Sequence, residues 1–341
     1  MPGSRPIKLA LQGGGSHGAF TWGVLDALLE DGRLHIRAIS GTSAGAMNAV
    51  VLAHGLLNGG HEGARAALAQ FWARICEDSG FAHSGGETSG SIPDGWMPGR
   101  GLRPAALQHW FACVTRHSSP YQFNPLNINP LRAELEAVVD FERLRATDGP
   151  DLHIAATNVR TGKLAVFERP VLTADHVLAS ACIPTIFQAV EIDGDPHWDG
   201  GYLGNPVLYP LYGTRDDVRD IVIVQINPVQ SSGAPRTLTG IQDRVNEIAF
   251  NSALLSELNS IETSARLAAD GGAGEAGDKY PLLHRIGGDD ELAAFAGSSR
   301  LDTRWRFLAS LRDAGRDAAR AWLERHYGAI GVHSTMTVNR D

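Results

Sequence analysis

Ser43 stands in a sequence pattern that suits a nucleophile. The stretch "ISGTSAGAMNAV" places a glycine two residues before and two residues after this serine, at Gly41 and Gly45. An apolar run ends at Ser40, and the residues after the serine favour a helix rich in Ala and Val. A sharp strand-to-helix turn presents a serine hydroxyl, and small neighbours avoid collisions within that turn. We therefore predict a nucleophile elbow, with a glycine-lined turn and a helix-capping serine as the alternative.

A glycine-rich loop near the start of the chain could bind an anion. In "LQGGGSHGAF", residues 11–20, the glycines Gly13, Gly15 and Gly18 fit the pattern G-x-G-x-x-G. This pattern occurs in dinucleotide-binding turns, which also need an acidic residue at the end of the second strand. That strand ends here in "AISGTS", without an acid. Because neighbouring parallel strands bring their following turns to one sheet edge, the loop is expected to face Ser43 and to bind an oxyanion.

Asp199 is the candidate base for this serine. A serine hydroxyl is a poor nucleophile at neutral pH and needs a proton acceptor. In "HWDGGYLGNP", two glycines follow Asp199 and allow a tight turn that leaves the carboxylate pointing into the site, although Asp-Gly-Gly alone more often marks a turn. His197 shares a side with Asp199 if the segment is extended, so a Ser-His-Asp triad is the competing arrangement.

The glycine-rich loop, G-x-S-x-G and D-G-G, in this order, resemble the patatin-like family of serine acyl hydrolases. The resemblance extends to "PLNINPLR" at 125–132, to "SACIPTIF" at 180–187 and to the last helix. It implies a catalytic dyad of Ser43 and Asp199 without histidine. It also implies an oxyanion hole in the loop, formed by Gly13, Gly14, Gly15 and Ser16.

Two positions depart from the pattern of that family. Gln12 stands where many relatives have Asp, and His17 where many have Arg or Lys. A partly protonated His17 would support the developing anion, whereas a neutral His17 would serve as a hydrogen-bonding loop residue. The sequence leaves both alternatives open.

The order of apolar runs predicts an α/β fold with three layers and a largely parallel central sheet. Strand-like runs such as "IKLALQ", "HIRAIS", "LHIAATNV" and "IVIVQINP" alternate with segments of helical spacing. We expect one patatin-like domain over residues 1–335, mainly helical from about residue 238. A final helix over 301–326 is expected to pack on the sheet. A helical stripe is expected to be core, formed by Ile241, Val245, Ile248, Leu255, Leu258 and Ile261.

Residues 79–101 are predicted to form a mobile loop. They are rich in Gly, Ser and Pro and show no sustained period. The loop also carries apolar residues, among them Phe81 and Trp96. It is therefore expected to be either a lid over an acyl-binding cleft or an insertion pinned to the body of the protein.

Composition excludes several classes of function. The 341 residues carry a formal net charge of −8 with scattered Lys and Arg, so nucleic acid is not an expected partner. The three cysteines lack CxxC spacing and no HExxH motif is present, so we expect no disulfide framework, metal or cofactor. No secretory signal and no spanning apolar run are apparent, which predicts a cytoplasmic protein whose contact with membranes is peripheral.

The sequence therefore predicts a serine hydrolase that cleaves carboxylic esters of lipids, like a phospholipase A or lysophospholipase. A general short-chain or polyester esterase on the same fold is the alternative enzyme. A dinucleotide-binding protein and an inactive lipid-binding module are the alternatives from other classes, and intact Ser43 and Asp199 argue against the second. The natural substrate and the oligomeric state do not follow from the sequence.

Overall fold

The computed structural model describes residues 4–76, 118–212, 217–231, 233–270, 280–288, 292 and 297–336. The loop predicted at 79–101 lies outside the described residues, and so does Cys113. Both predictions for that loop, lid and passive insertion, therefore stay predictions.

Strands and helices alternate at the start of the chain, as the apolar runs predict, whereas further along several strands and several helices follow one another directly. The strands are β1 (Arg5–Leu11), β2 (Leu34–Thr42), β3 (Asp151–Asn158), β4 (Lys163–Glu168), β5 (Val190–Ile192), β6 (Asp195–Asp199), β7 (Asp220–Gln225) and β8 (Leu282–Gly287). The described helices are α1 (Gly18–Asp31), α2 (Ala44–Cys76), α3 (Pro120–Phe123), α4 (Pro130–Glu136), α5 (Phe141–Ala146), α6 (Ala174–Ser180), α7 (Leu238–Asp270) and α8 (Trp305–His326).

The central sheet is mostly parallel, which confirms the predicted fold class. Strands β3, β2, β1, β7 and β8 pair in this order and all in parallel. Strands β4 and β6 both pair with β3 in the antiparallel direction, and β5 continues the sheet from β6. The turns after β1, β2 and β7 consequently meet at one edge of the sheet.

Alternate residues of the central strands face two separate layers of helices. Ile7, Leu9 and Leu11 of β1 are fully buried in a core shared with α1, α2 and α8. Ala10 of the same strand faces the other side, in a core shared with β7 and α7. Since side chains alternate along a strand, this division produces the three layers of the fold.

The prediction that the stripe on α7 is core holds for only part of the helix. Leu258 and Ile261 are buried, but Ile241, Val245 and Ile248 are exposed. The division follows from the position of Asn251, which binds the Gln12 side chain just beyond the end of β1. Residues of α7 before this point extend past the carboxyl edge of the sheet, so their apolar side chains have no strand to cover.

The final helix α8 packs chiefly along α1, and its predicted packing on the sheet is limited to its second half, where the Trp322 ring lies edge-on against His284 of β8. Two glycines permit the close approach of these helices. A Cβ atom added to Gly23 would lie 1.9 Å from the carbonyl oxygen of Arg312, and one added to Gly315 would lie 2.1 Å from that of Phe20. Among the described helices, none has both the length and the apolar character needed to span a bilayer.

Candidate active site

Ser43 occupies a tight turn between β2 and α2. Its φ of 55° lies in the left-handed region, which is strained for a residue with a side chain. The two flanking glycines permit the turn. A Cβ atom added to Gly45 would lie 2.1 Å from the carbonyl oxygen of Leu11, and one added to Gly41 would lie 2.7 Å from that of Gly45. This backbone geometry is that of a nucleophile elbow.

The strained turn is supported by Ser180, the last residue of α6. The Ser43 N–H donates a hydrogen bond of 2.9 Å to the Ser180 Oγ, and Ser180 is fully buried. Since a buried N–H without an acceptor is costly, this bond contributes to holding the elbow. Sequence reasoning did not assign a role to Ser180, and its place in "SACIPTIF" was the available signal.

Strand β6 brings Asp199 to the elbow. Thr42, the residue before Ser43, pairs with Ala155 of β3, and Asp199 pairs with the next residue, Ala156. Strand β4 occupies the opposite edge of β3 throughout this region. Strands β2 and β6 therefore share one edge of β3, and Asp199 follows directly where β2 turns away.

The Asp199 backbone and one carboxylate oxygen are held by several hydrogen bonds. Its N–H donates to the carbonyl of Cys182, and its own carbonyl accepts from Thr157 Oγ1, each at 2.8 Å. Its Oδ1 accepts from the N–H of Gly201, also at 2.8 Å. A glycine is needed at position 200 because a Cβ atom added there would lie 2.3 Å from a carbonyl oxygen of β3. The two glycines thus position the carboxylate as well as the turn.

The environment of Asp199 suits a base at neutral pH. The residue is 1% exposed, and burial raises the pKa of its carboxyl to about 7, although the Gly201 N–H and the Ser43 hydroxyl oppose this rise. Its Oδ2 makes no hydrogen bond of normal geometry with the described residues, so the contact with the Ser43 hydroxyl is a loose one. Such contacts commonly tighten only when substrate binds. One oxygen is therefore anchored and the other is left for proton transfer.

The glycine-rich loop lies directly against the elbow. A Cβ atom added to Gly13 would lie 2.6 Å from the Cβ of Ser43 and 2.6 Å from the carbonyl oxygen of Thr42. Two asparagines hold this glycine in place. Its N–H donates to Asn205 Oδ1 at 2.6 Å, and its carbonyl accepts from Asn227 Nδ2 at 2.7 Å. The resemblance implied that the Gly13 N–H binds the oxyanion. This N–H is already bonded to Asn205, so it is not free for that role.

The next three amides of the loop differ from that of Gly13. The N–H groups of Gly14, Gly15 and Ser16 donate no hydrogen bond to any described residue. Gly14 caps a short 3-10 helix, Gly15–His17, which leads into α1 and which Gly15 and Ser16 begin. Unpaired N–H groups at a helical N-terminus attract negative charge. These three amides are therefore the candidates for an oxyanion hole beside Ser43.

Gln12, one of the two departures from the family pattern, is a structural bridge. Its Oε1 accepts hydrogen bonds from the N–H groups of Ile226 and Asn227, at 2.8 and 2.7 Å. Its Nε2 donates to Asn251 Oδ1 at 2.8 Å and to the carbonyl of Asn205 at 3.2 Å. A neutral amide suits this position because it must both accept and donate.

Comparison with known families places these residues in a family. Residues 9–212, which include the glycine-rich loop, Ser43 and Asp199, match the family described as patatin-like phospholipase. The chain belongs to the patatin-like phospholipase family. Membership implies a lipid hydrolase and a lipid substrate, and confirms the family resemblance of the sequence motifs.

Solved structures similar to this patatin-like chain include two bacterial proteins. VipD from Legionella pneumophila is 15% identical, with a TM-score of 0.40, over 94% of this chain and 67% of that one. ExoU in its complex with SpcU, from the type III secretion system of Pseudomonas aeruginosa, is 17% identical, with a TM-score of 0.38, over 96% of this chain and 53% of that one. The search of curated proteins found no match.

His17 of this patatin-like chain does not carry the positive charge that one sequence alternative gave it. It is buried, and its Nε2 lies 2.7 Å from the Ser299 Oγ. Burial, assisted by the charge of Arg300, lowers the pKa of His17 to about 4. His17 is therefore neutral at neutral pH, as the second alternative held.

His197 does not join the serine and the aspartate. Its Nδ1 lies 2.9 Å from the carbonyl oxygen of Asp195, and its ring packs edge-on against Phe167 with centroids 5.6 Å apart. It forms no hydrogen bond with Ser43 or Asp199. The geometry thus favours the dyad over the triad. Among the described residues, no group of His, Cys, Asp or Glu is arranged to hold a metal ion.

Proposed function

We propose that this patatin-like protein hydrolyses carboxylic esters of lipids, in the manner of a phospholipase A or lysophospholipase, through a dyad of Ser43 and Asp199. The observation that carries the proposal is the placement of the buried Asp199 carboxylate, whose pKa is raised to about 7, beside a serine in a strained elbow. A base with a pKa near the operating pH transfers protons most effectively.

Acylation would begin with attack of the Ser43 Oγ on the ester carbonyl. The hydroxyl proton passes to Asp199 Oδ2 as the Oγ–carbon bond forms, and the carbonyl oxygen becomes an oxyanion. The amides of Gly14, Gly15 and Ser16 are proposed to bind this oxyanion. When the tetrahedral intermediate collapses, the alcohol leaves with the proton from Asp199, and the acyl group remains on Ser43.

Deacylation would use the same groups with water as the nucleophile. Asp199, again ionised, takes a proton from water while the water oxygen attacks the acyl carbon. Collapse of the second tetrahedral intermediate breaks the bond to Ser43 Oγ, which recovers its proton from Asp199. The net change is hydrolysis of one ester to an alcohol and an acid, with the dyad restored.

The lipid part of the proposal rests on family membership, whereas the ester chemistry rests on the site. A general short-chain or polyester esterase would use the same dyad. A profile of turnover against acyl-chain length distinguishes them, because a lipid hydrolase should prefer long acyl chains and a general esterase short ones. Cytoplasmic location and peripheral contact with membranes stay predictions.

The decisive experiment is covalent labelling by a fluorophosphonate, followed by peptide mapping. We expect the label on Ser43 and on no other serine, with loss of ester hydrolysis in step with labelling. Ser43→Ala should retain its fold and lose both labelling and turnover, and Ser252→Ala, an exposed serine on α7, is the matched control. Full labelling of folded Ser43→Ala would overturn the proposal.

A further inference from the structure

The carbonyl of Gly13 accepts hydrogen bonds from two buried asparagines. Asn227, which follows β7, donates from its Nδ2 at 2.7 Å, and Asn205 donates from its Nδ2 at 3.3 Å. This carbonyl and the N–H of Gly14 belong to the same peptide group. A peptide group is planar and trans, so its N–H points in the direction opposite to its carbonyl. The two asparagines therefore fix the direction of the Gly14 N–H, the first of the unbonded amides of the loop.

Asn227 makes the shorter of these two bonds and lies alongside the amide that it orients. The residue is 1% exposed, and a Cβ atom added to Gly14 would lie 3.4 Å from the Asn227 Oδ1. Its backbone is held separately, since its own N–H donates to the Gln12 Oε1 at 2.7 Å. A change in the Asn227 side chain therefore acts on the peptide group between Gly13 and Gly14 and leaves the backbone anchor in place.

The stability of the fold does not explain an asparagine at position 227. Its buried Oδ1 has no hydrogen-bond partner among the described residues. A buried acceptor without a partner costs free energy, and the Gly13 carbonyl would keep a donor in Asn205 if residue 227 were apolar. A leucine of similar shape would remove the unpaired oxygen. The donor group of Asn227 is therefore its distinctive contribution at this position.

A hydrogen bond to the Gly13 carbonyl also makes the N–H of the same peptide group a stronger donor. Hydrogen bonds that follow one another polarise each other, and their strength is greater where water is excluded. Gly13, Gly14 and Asn227 are all buried. The Gly14 N–H is thus both directed and polarised by the asparagine on the opposite side of the peptide group.

We propose that Asn227 is a positioning residue, which directs and polarises the Gly14 N–H for the oxyanion that forms at Ser43. Asn205 assists as the second donor to the same carbonyl. This inference rests on the proposed ester hydrolysis. Because the oxyanion exists only in the tetrahedral state, the loss of Asn227 falls on kcat rather than on substrate binding. Displacement of a group in the site by about 1 Å can lower a rate about a hundredfold.

The test measures Asn227→Leu with 4-nitrophenyl butyrate as substrate and with an alkyl trifluoromethyl ketone as inhibitor. The Ser43 Oγ adds to the ketone to give a tetrahedral oxyanion, so the inhibition constant reports how well that state is bound. We expect kcat to fall about tenfold to a hundredfold and KM to change less than about threefold. The inhibition constant should rise by the factor by which kcat/KM falls. The midpoint of thermal unfolding should not fall.

Asn124→Leu is the matched control. Asn124 is also a buried asparagine, and it binds the N–H and the carbonyl of Ile128 at 3.0 and 2.9 Å, outside the candidate site. This variant should lose stability but keep its kcat and its inhibition constant, the reverse of Asn227→Leu. Asn227→Ala should show the same kinetic losses as Asn227→Leu, and it replaces that variant if the leucine protein does not fold.

An unchanged kcat in folded Asn227→Leu or Asn227→Ala would overturn the proposal. A lower kcat with an unchanged inhibition constant for the ketone would overturn it as well, because the oxyanion would then be bound as before. Failure of the proposed function would appear separately, as a wild-type protein that neither hydrolyses esters nor takes up fluorophosphonate.

Discussion

Thr42 and Asp199 occupy consecutive positions along one edge of β3, although they lie in strands that run in opposite directions. Thr42 pairs with Ala155 and Asp199 with Ala156. Strand β2 leaves this edge to form the elbow, and β6 ends on it from the other direction. The candidate nucleophile and the candidate base are thus brought together by the rigid pairing of backbone, without any intervening side chain. Sites built on strands in this way hold their geometry with little reorganisation.

If Asp199 is the base, hydrolysis should depend on pH through this one group. We expect kcat/KM to rise tenfold per pH unit below about pH 7 and to level above it, since the carboxyl must lose its proton before it can accept one. Asp199→Asn should lower kcat about a hundredfold to ten-thousandfold. Initial rates between pH 5 and pH 9 measure both effects.

His197→Ala is the control that separates the dyad from a triad. This histidine contacts Asp195 and Phe167 rather than the reacting groups, so its removal should lower kcat less than about tenfold. A folded His197→Ala protein as impaired as Asp199→Asn would require a triad.

Asp199 should also make the fold less stable as pH rises. Its pKa is about 7 in the folded state against an ordinary value of 3.8, so the unfolded chain ionises first. The contribution of the protonated Asp199 carboxyl to the free energy of unfolding is complete below pH 4 and is lost between about pH 4 and pH 7. Asp199→Asn removes this loss. The free energy of unfolding of Asp199→Asn minus that of the wild-type protein should therefore increase by about 2 to 3 kcal/mol from pH 5 to pH 8.

Urea denaturation of both proteins at the two pH values measures this difference, in which effects of the substitution that do not depend on pH cancel. An equal difference at pH 5 and pH 8 would show that Asp199 ionises normally in the folded protein.

Methyl groups added along the glycine-rich loop should have graded effects. Gly13→Ala places a methyl 2.6 Å from both Ser43 Cβ and a backbone oxygen, so it should displace the loop and abolish turnover. Gly14→Ala meets the movable Ile226 Cδ1 at 3.0 Å, so the protein should fold and lose kcat more than substrate binding. Gly233→Ala, which meets no atom within 4 Å, is the control. Steady-state kinetics with a thermal melt for each variant would test this order, and equal activity of Gly13→Ala and Gly233→Ala would contradict it.

Ser180→Ala should weaken the elbow although Ser180 is not proposed to react. The substitution leaves the buried Ser43 N–H without its acceptor, which costs about 1 to 3 kcal/mol of unfolding free energy. The rate of fluorophosphonate labelling at Ser43 should fall as well, because the backbone of the nucleophile is less well held. Ser180→Thr, which keeps the hydroxyl, is the comparison. Loss of stability without any change in labelling rate would limit Ser180 to a structural role.

The positive φ of Ser43 should lower the free energy of unfolding when residue 43 carries a side chain. Glycine adopts this conformation without the steric penalty that a Cβ atom brings. Ser43→Gly and Ser43→Ala should both be inactive, but Ser43→Gly should be more stable by about 1 kcal/mol. Chemical denaturation of the two variants measures the difference. Equal stability would indicate a relaxed turn in solution.

Much of the site follows from local sequence because its pieces are local. The elbow depends on Gly41, Ser43 and Gly45, which are contiguous with a strand and a helix, and the turn at Asp199 depends on the two glycines after it. Alternating strand and helix patterns also predict a largely parallel sheet in which the first two strands are neighbours. Such signals act between near neighbours in the chain, and these neighbours remain the same in any fold.

The tertiary structure alone decided which groups are free, which are charged and which are covered. The Gly13 N–H is bonded to Asn205, and His17 is neutral because it is buried beside Arg300. Ile241 remained exposed because α7 extends beyond the sheet edge. The hydrogen-bond partners of a residue and its exposure to solvent depend on which distant segments of the chain pack against it. The local sequence pattern around the residue does not predict those contacts.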